Sequence, residues 1–238
     1  MNLSTPPAHD IQAIFNRIAP ADDALNDRLS LGLHRIWKQM TVKWCSPAPG
    51  DTCLDVCCGS GDLAQLLAQQ VGNTGSVYGV DFSAAQLEIA HQRTDQAPPH
   101  SPVRQIQWVE ADALQLPFAE NFFDAATMGY GLRNVTHKLG SLQELYRVLK
   151  PKAIVAILDF HRPQNPQLRT FQQWYLDTIV VPTAEQMGLR DEYAYITPSL
   201  DRFPTGQAQV TLAQQAGFST AIHYPIAGGM MGVLVATK

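Results

Sequence analysis

Leu54-Asp55-Val56-Cys57-Cys58-Gly59-Ser60-Gly61-Asp62 passes from an apolar run through Gly-x-Gly into a helical pattern, and Asp81 stands twenty residues beyond Gly61. Glycines let a backbone turn sharply and let a ligand come close, while the open N–H groups at a helix start face it. A carboxylate at this spacing, ending the next strand, is placed to accept from two ribose hydroxyls. Either a dinucleotide or S-adenosylmethionine suits these features. Asp55 separates the two: set in a ligand-facing turn, it repels a pyrophosphate and attracts a sulfonium and an ammonium. Ala64 also stands where a dinucleotide motif has its third glycine. The pattern predicts Asp55, Gly59, Ser60, Gly61 and Asp81 around S-adenosylmethionine, with Phe82 and Met128 at neighbouring strand ends. That ligand implies methyl transfer. An acid that merely stabilises the helix begun by Ser83 is the alternative for Asp81.

Three more groups carry chemistry. In Glu110-Ala111-Asp112-Ala113, Asp112 can accept from an adenine amino group and the Ala113 N–H can serve a ring nitrogen; a helix cap is the plainer reading. Gly129-Tyr130-Gly131-Leu132-Arg133-Asn134-Val135 brings backbone close to something and aims a strong cation and an amide at it. His161, after the fifth strand, is the best-placed imidazole to take a proton; a packed histidine is the equal alternative. His34 reads as structural.

Positioning these residues requires a regular beat of strand and helix. The pattern predicts strands at Thr52–Cys58, Ser76–Val80, Gln105–Glu110, Phe123–Met128 and Ile154–Phe160. Helices are predicted at Asp62–Val71, from Ser83 to about Thr94, and at Leu139–Leu149. Strands parted by helices imply a parallel sheet with helices on both faces and a ligand at the strands' carboxyl ends. A helix at Gln207–Gln215 and strands at Thr220–Tyr224 and Met231–Ala236 then close the sheet with a hairpin, giving seven strands of mixed but mostly parallel direction. The expected organisation is one α/β, Rossmann-like domain over 1–238. It divides into a helical cap (1–45), a cofactor-binding core (46–160), a helical lid insertion (161–205) and a terminal helix and hairpin (206–238). The insertion holds a helix over Leu168–Val181 and is broken by Pro163, Pro166, Pro182 and Pro198.

Composition bounds the partners. In 238 residues the formal net charge is −4, which argues against nucleic acid. Cys45, Cys53, Cys57 and Cys58 lack metal-site spacing and read as small buried hydrophobes in a reducing compartment, with no metal expected. Met1-Asn2-Leu3-Ser4-Thr5-Pro6-Pro7 has no signal-peptide character, and no run of eighteen apolar residues occurs. The expectation is a cytoplasmic protein.

Asp55-Val56-Cys57-Cys58-Gly59-Ser60-Gly61-Asp62-Leu63-Ala64, Leu116-Pro117-Phe118, Phe122-Phe123-Asp124, Gly131-Leu132-Arg133-Asn134-Val135 and Arg147-Val148-Leu149-Lys150-Pro151 together resemble the UbiE/MenG family. So do Asn26-Asp27 and Ser30-x-Gly32-x-His34-Arg35-x-Trp37-Lys38, so the resemblance covers nearly the whole chain. Leu158-Asp159-Phe160-His161-Arg162-Pro163 and the tail Gly228–Ala236 resemble the cyanobacterial branch. The resemblance implies the class I S-adenosylmethionine-dependent methyltransferase fold. It also implies cofactor contacts at Ser60, Asp81, Asp112 and Ala113, and C-methylation of reduced 2-phytyl-1,4-naphthoquinone to phylloquinone. A demethylmenaquinone or a ubiquinone- or plastoquinone-type precursor is the alternative ring, and a non-catalytic quinone- or cofactor-binding protein the alternative class. Three departures stand out: Asp22-Asp23 replaces the family's Tyr-Asp, Lys150-Pro151-Lys152-Ala153 replaces Lys-Pro-Gly-Gly, and Ser60 replaces threonine.

A quinone ring is too electron-poor to attack a methyl group, so the chemistry calls for the quinol with one hydroxyl deprotonated. Arg133 is expected to stabilise the resulting phenolate, Asn134 to orient the other oxygen, and His161 to accept the proton. Leu33, Trp37, Met40 and Trp44 form one helical stripe with Arg35, Lys38 and Lys43 elsewhere on the helix. That suits either an interfacial helix on an inner or thylakoid membrane or, more simply, a helix packed on the domain. Phe171, Trp174, Tyr175, Ile179 and Val180 of the insertion are expected to cover the substrate.

Overall fold

The computed structural model describes residues 6–30 and 32–238, without the side chains of residues 22–24 and 26. The Asp22-Asp23 departure and the segment before Pro6 therefore lie outside the described residues. Helices α1 (Ala8–Ile18), α2 (Asp22–Ser30) and α3 (Leu33–Cys45) precede β1 (Thr52–Val56). Then follow α4 (Asp62–Val71), β2 (Ser76–Asp81), α5 (Ala84–Gln96), β3 (Gln107–Glu110), β4 (Phe123–Gly129), α6 (Lys138–Val148) and β5 (Leu149–Phe160). The insertion contains α7 (Pro166–Tyr175), a π-helical turn (Leu176–Val180), α8 (Val181–Glu185), α9 (Arg190–Ala194) and α10 (Ile196–Arg202). The chain closes with α11 (Gly206–Gln215), β6 (Thr220–Ile226) and β7 (Met231–Thr237).

The seven strands run in the order β3-β2-β1-β4-β5-β7-β6. The first five are mutually parallel, and β7 lies antiparallel between β5 and β6, so the terminal hairpin completes the sheet. Strand alternation sorts the sheet's two faces. Leu54, Val56, Ala126, Met128, Val155 and Ile157 pack in a cluster with Leu142, Leu145 and Val148 of α6 and Ala213 of α11. Cys53, Val77, Ala125, Ala156 and Leu158 pack in another with Val42 and Cys45 of α3 and with Leu63, Ala64, Leu67, Ala68 and Val71 of α4. The stripe on α4 recurs at i, i+1, i+4, i+5 and i+8, the spacing that holds one face of a helix against a sheet.

A third cluster joins the cap to the insertion. Ile18, Ala21 and Leu25 meet Leu176, Val180, Ala184, Leu189, Tyr193 and Leu200. The start of the cap and the insertion thus bury their apolar residues against each other.

Several boundaries differ from the sequence pattern for local reasons. β1 ends at Val56 instead of Cys58 because Cys57 takes φ 55°, outside extended geometry. β3 begins at Gln107 because Pro102–Gln105 is a 3-10 turn. β5 starts five residues early, at Leu149, and its register against β4 slips between Phe123 and Ala125, where Lys152 sits at φ 71°. A lysine thus holds a left-handed position that glycine occupies at less cost. The stripe on α3 packs on the domain: Trp37 and Trp44 lie against the second cluster, and Trp44 stacks beside Tyr224 at 4.9 Å.

Candidate active site

Two cavities open at the carboxyl ends of the parallel strands. The smaller, about 120 Å³, lies across the ends of β1, β2 and β3. Its floor is Cys57–Ser60, in the turn that ends at Gly61. Cys58 N–H donates to the Val80 carbonyl at 3.0 Å and Gly61 N–H to the Cys58 carbonyl at 2.9 Å, which closes the turn. Asp81 holds it from the side: Oδ2 accepts from Gly59 N–H at 2.8 Å and Oδ1 from Ser83 N–H at 2.9 Å. Burial pushes this carboxyl above the ordinary aspartate range, while the same N–H bonds pull it back. The Ser83 hydroxyl caps α5 by accepting from Gln86 N–H at 3.2 Å, so the helix-start reading of this segment holds.

Gly59, Ser60, Asp81, Phe82, Asp112 and Ala113 all line this cavity. Gly61 does not. A Cβ there would lie 2.4 Å from the Trp108 ring, and the residue sits at φ 91° as the N-cap of α4, so its glycine serves turn and packing. Met128 is fully buried in the sheet cluster rather than on the wall. Asp55 is the larger correction. It is wholly buried within β1, beneath the turn, and accepts from the Thr127 hydroxyl at 2.8 Å. Burial pushes its carboxyl up to about 7. Lys38 and Asp62 also stand on the cavity wall, beside Asp81 and Asp112. Lys38 Nζ donates to Asp62 Oδ2 at 2.6 Å and Arg93 Nη2 to Asp62 Oδ1 at 2.6 Å.

The cavity's own polar inventory supports a polar ligand. Gln86 is 1% exposed and lines the wall, yet neither its Nε2 nor its Oε1 has a partner among the described residues. A buried carboxamide in that state calls for a polar ligand. Sequence reasoning missed Gln86 because nothing in a helix's first turn marks a glutamine as inward-facing. Helix α1 closes the cavity from above with Ala8, Ile11 and Phe15. The Gln12 amide donates to the Phe82 carbonyl, and Asn16 Oδ1 accepts from the Ser83 hydroxyl at 2.6 Å.

The larger cavity, about 410 Å³, is mostly apolar and lies between α1, α3 and the insertion. Phe15, Tyr130 and Asn134 line both cavities and so form the passage between them. Arg133 and Asn134 are held here by the turn after β4, where Gly131 is required: a Cβ would lie 2.5 Å from Cys57 Cβ. Arg133 is 6% exposed. Its Nε lies 3.2 Å from Asp159 Oδ1, its N–H donates to Asp159 Oδ2 at 2.9 Å, and Nη1 donates to the Ser199 hydroxyl. Asn134 donates from Nδ2 to the Tyr130 carbonyl at 3.0 Å, and its Oδ1 has no protein partner among the described residues.

His161 lines neither cavity. Its Nε2 lies 3.1 Å from His223 Nε2 and 3.4 Å from Gln209 Nε2, and its ring packs on Phe203. Burial, then His223, then Arg133 push this imidazole down to about 3. The end of β5 was correctly located, but the ring turns away from the ligand side. A neutral buried imidazole binds fewer protons than its unfolded counterpart between about pH 3 and 6.5. Stability should therefore rise with pH across that window, by up to about 1.4 kcal/mol per unit. We expect His161→Gln to flatten this rise in urea titrations and to leave turnover within about threefold; a hundredfold loss of turnover would restore His161 to the chemistry. His34, by contrast, does line the large cavity, with Nε2 3.2 Å from Asp27 Oδ1. Arg35 bonds to Asp27 and holds its carboxyl below the usual range.

Among the described residues no group of three His, Cys, Asp or Glu side chains could hold a metal ion, and no helix is long and apolar enough to cross a membrane.

Residues 5–238 match the ubiE/COQ5 methyltransferase family model. The chain is 66% identical to a 2-phytyl-1,4-naphtoquinone methyltransferase of Trichormus variabilis, covering 97% of this chain and 99% of the relative. It is 51% identical to the chloroplastic 2-phytyl-1,4-beta-naphthoquinone methyltransferase of Arabidopsis thaliana, covering 97% and 88%. Solved structures show the same fold at low identity. A SAM-dependent methyltransferase from Aquifex aeolicus aligns with TM-score 0.61 at 19% identity, covering 84% of this chain and 88% of that one. Another from Thermotoga maritima aligns with TM-score 0.65 at 18% identity, covering 95% and 99%. The chain belongs to the ubiE/COQ5 methyltransferase family.

Proposed function

We propose that this enzyme methylates the ring of reduced 2-phytyl-1,4-naphthoquinone, forming phylloquinone. The observation that carries the reading is the apolar 410 Å³ cavity that joins the cofactor cavity through Phe15, Tyr130 and Asn134. Its relatives' substrate, an aromatic ring with a long branched alkyl tail, suits that lining.

S-adenosylmethionine supplies an electrophilic methyl group on sulfur. The protein must present a ring carbon to it, exclude water and manage the hydroxyl proton. Alignment alone can contribute roughly 7–11 kcal/mol. A π electron pair of the ring forms the new carbon–methyl bond, the pair of the broken sulfur–methyl bond stays with sulfur, and the ring C–H proton then leaves to restore aromaticity. Arg133 presents a fixed cation toward the cavity and favours the phenolate, with Asp159 and Ser199 holding its orientation. Asn134 Oδ1, at the passage, accepts from a quinol hydroxyl. The proton acceptor we assign is His34, the imidazole that lines this cavity, with Nε2 3.2 Å from Asp27 Oδ1.

The test is transfer of labelled methyl from S-adenosylmethionine to 2-phytyl-1,4-naphthoquinone with and without dithionite. Product under reduction alone is expected. Product from rigorously oxidised quinone would overturn the mechanism, and no product in either state would overturn the substrate.

The rim of this cavity is where a long alkyl tail would leave it. Leu33 and Phe171 line the cavity and remain 47% and 48% exposed; one turn further on each helix, Ile36 and Trp174 are 53% and 51% exposed. This apolar rim, with the exposed Arg169 on α7, suits a lipid bilayer surface in which the tail is already dissolved. Of the α3 stripe, Leu33 belongs to this rim, while its tryptophans are packed on the domain. Ile36→Glu with Trp174→Glu should abolish sedimentation with anionic vesicles and raise KM for vesicle-borne quinol by tenfold or more. Turnover on a water-soluble short-tail quinol should stay unchanged. Undiminished vesicle binding would remove this surface from consideration.

A further inference from the structure

Lysine is rarely buried, and Lys38 is 9% exposed on the wall of the cofactor cavity. It comes from α3, in the amino-terminal cap, and reaches the turn between β1 and α4. There its Nζ donates to Asp62 Oδ2 at 2.6 Å and lies 5.8 Å from the centre of the Tyr130 ring. Asp62 has a second cation: Arg93 Nη2 donates to Oδ1 at 2.6 Å, while Arg93 Nη1 donates to the Ser60 carbonyl at 3.0 Å and the Ser60 hydroxyl at 2.9 Å. Two cations and one carboxylate leave a net single positive charge at the start of α4, where the helix dipole adds to it. The opposite end of the cavity is anionic. Asp81 and Asp112 follow β2 and β3, the strands furthest from β4 and its Tyr130.

S-adenosylmethionine is polarised to match. Its adenosine end offers hydroxyl and amino donors to carboxylates, and its amino-acid end carries a carboxylate. An ammonium has three donors; with one on Asp62, the others can serve the ligand.

We propose that Lys38 binds the methionine carboxylate of the cofactor, so that the amino-terminal cap supplies part of the cofactor site. This rests on S-adenosylmethionine being the ligand of the smaller cavity. It gives a catalytic-domain pocket a charge that the β1–α4 motif itself does not contain. It also fixes the methyl donor's orientation, with the sulfur near the passage at Tyr130 and Asn134.

The experiment uses two ligands that share the adenosine end. S-adenosylhomocysteine has the carboxylate; 5′-methylthioadenosine lacks the amino-acid group altogether. Calorimetry on the full chain should show Lys38→Met weakening S-adenosylhomocysteine by roughly 10- to 100-fold, the loss expected for a charge-assisted bond. 5′-Methylthioadenosine should change by less than twofold. Equal weakening of both ligands would show that Lys38 only supports the turn and would overturn the proposal, as would no change in either. A wild-type protein that binds neither ligand would instead overturn the cavity's assignment to the cofactor. Should Lys38→Met fail to fold, Lys38→Gln carries the same comparison, with the intact binding of 5′-methylthioadenosine reporting a folded pocket.

Discussion

Arg133→Met is expected to lose on the order of 10²-fold in turnover and to lower folding stability by about 3–5 kcal/mol. Both effects follow from one geometry. Asp159 is 1% exposed, accepts from the Arg133 and Phe160 N–H groups, and has the guanidinium as its counter-ion. Removing that cation strands a carboxylate whose range burial already pushes upward. The two effects can be separated. The pair Arg133→Met with Asp159→Asn keeps an oxygen acceptor but removes the stranded charge, so much of the stability should return. Turnover should not, because the cavity still lacks its cation. Urea denaturation beside the methyl-transfer assay decides the matter, and a stable double variant with full turnover would sink the electrostatic role of Arg133.

The second large effect belongs to Asp81. Asp81→Asn should weaken S-adenosylhomocysteine by roughly 10- to 100-fold, the size of a lost charge-assisted pair of hydrogen bonds. It also turns an amide N–H toward the Gly59 or Ser83 N–H, which loosens the turn. The wild type should show a matching pH response. Its folded carboxyl range is raised, and the charged form is the better acceptor for ribose hydroxyls. Cofactor affinity should therefore fall as the solution is acidified through that range, and the asparagine variant should lack the response. An asparagine variant with wild-type affinity at pH 7 would return Asp81 to helix stabilisation alone.

Much of this site was legible in residue order. The α4 boundaries were readable because Leu63, Leu67 and Val71 form one stripe between two glycines, and both glycines take positive φ. Ser83 was readable as a cap and Asp81 as a wall residue because their neighbours are local in sequence. Asp55 and His161 misled for a common reason. Strand position says that a residue is near the ligand edge, but not on which side of the backbone it lies once a turn intervenes. Cys57 turns left-handed at that edge, and the ring of His161 joins His223, sixty-two residues away. Gln86 escaped notice and Lys38 was read only as a cation on α3, because long-range packing alone brings a helix of the cap and the first turn of α5 onto one cavity.

Helix α1 has a kinetic consequence. Its eleven residues supply Ile11 and Phe15 to the cofactor wall and Ile14, Phe15 and Ile18 to the quinol wall, and Arg17 grips Glu192 of the insertion at 3.0 Å. Any displacement that releases one ligand disturbs the seat of the other. Binding at the two cavities is then expected to be coupled, and product inhibition should show each ligand shifting the apparent affinity of the other.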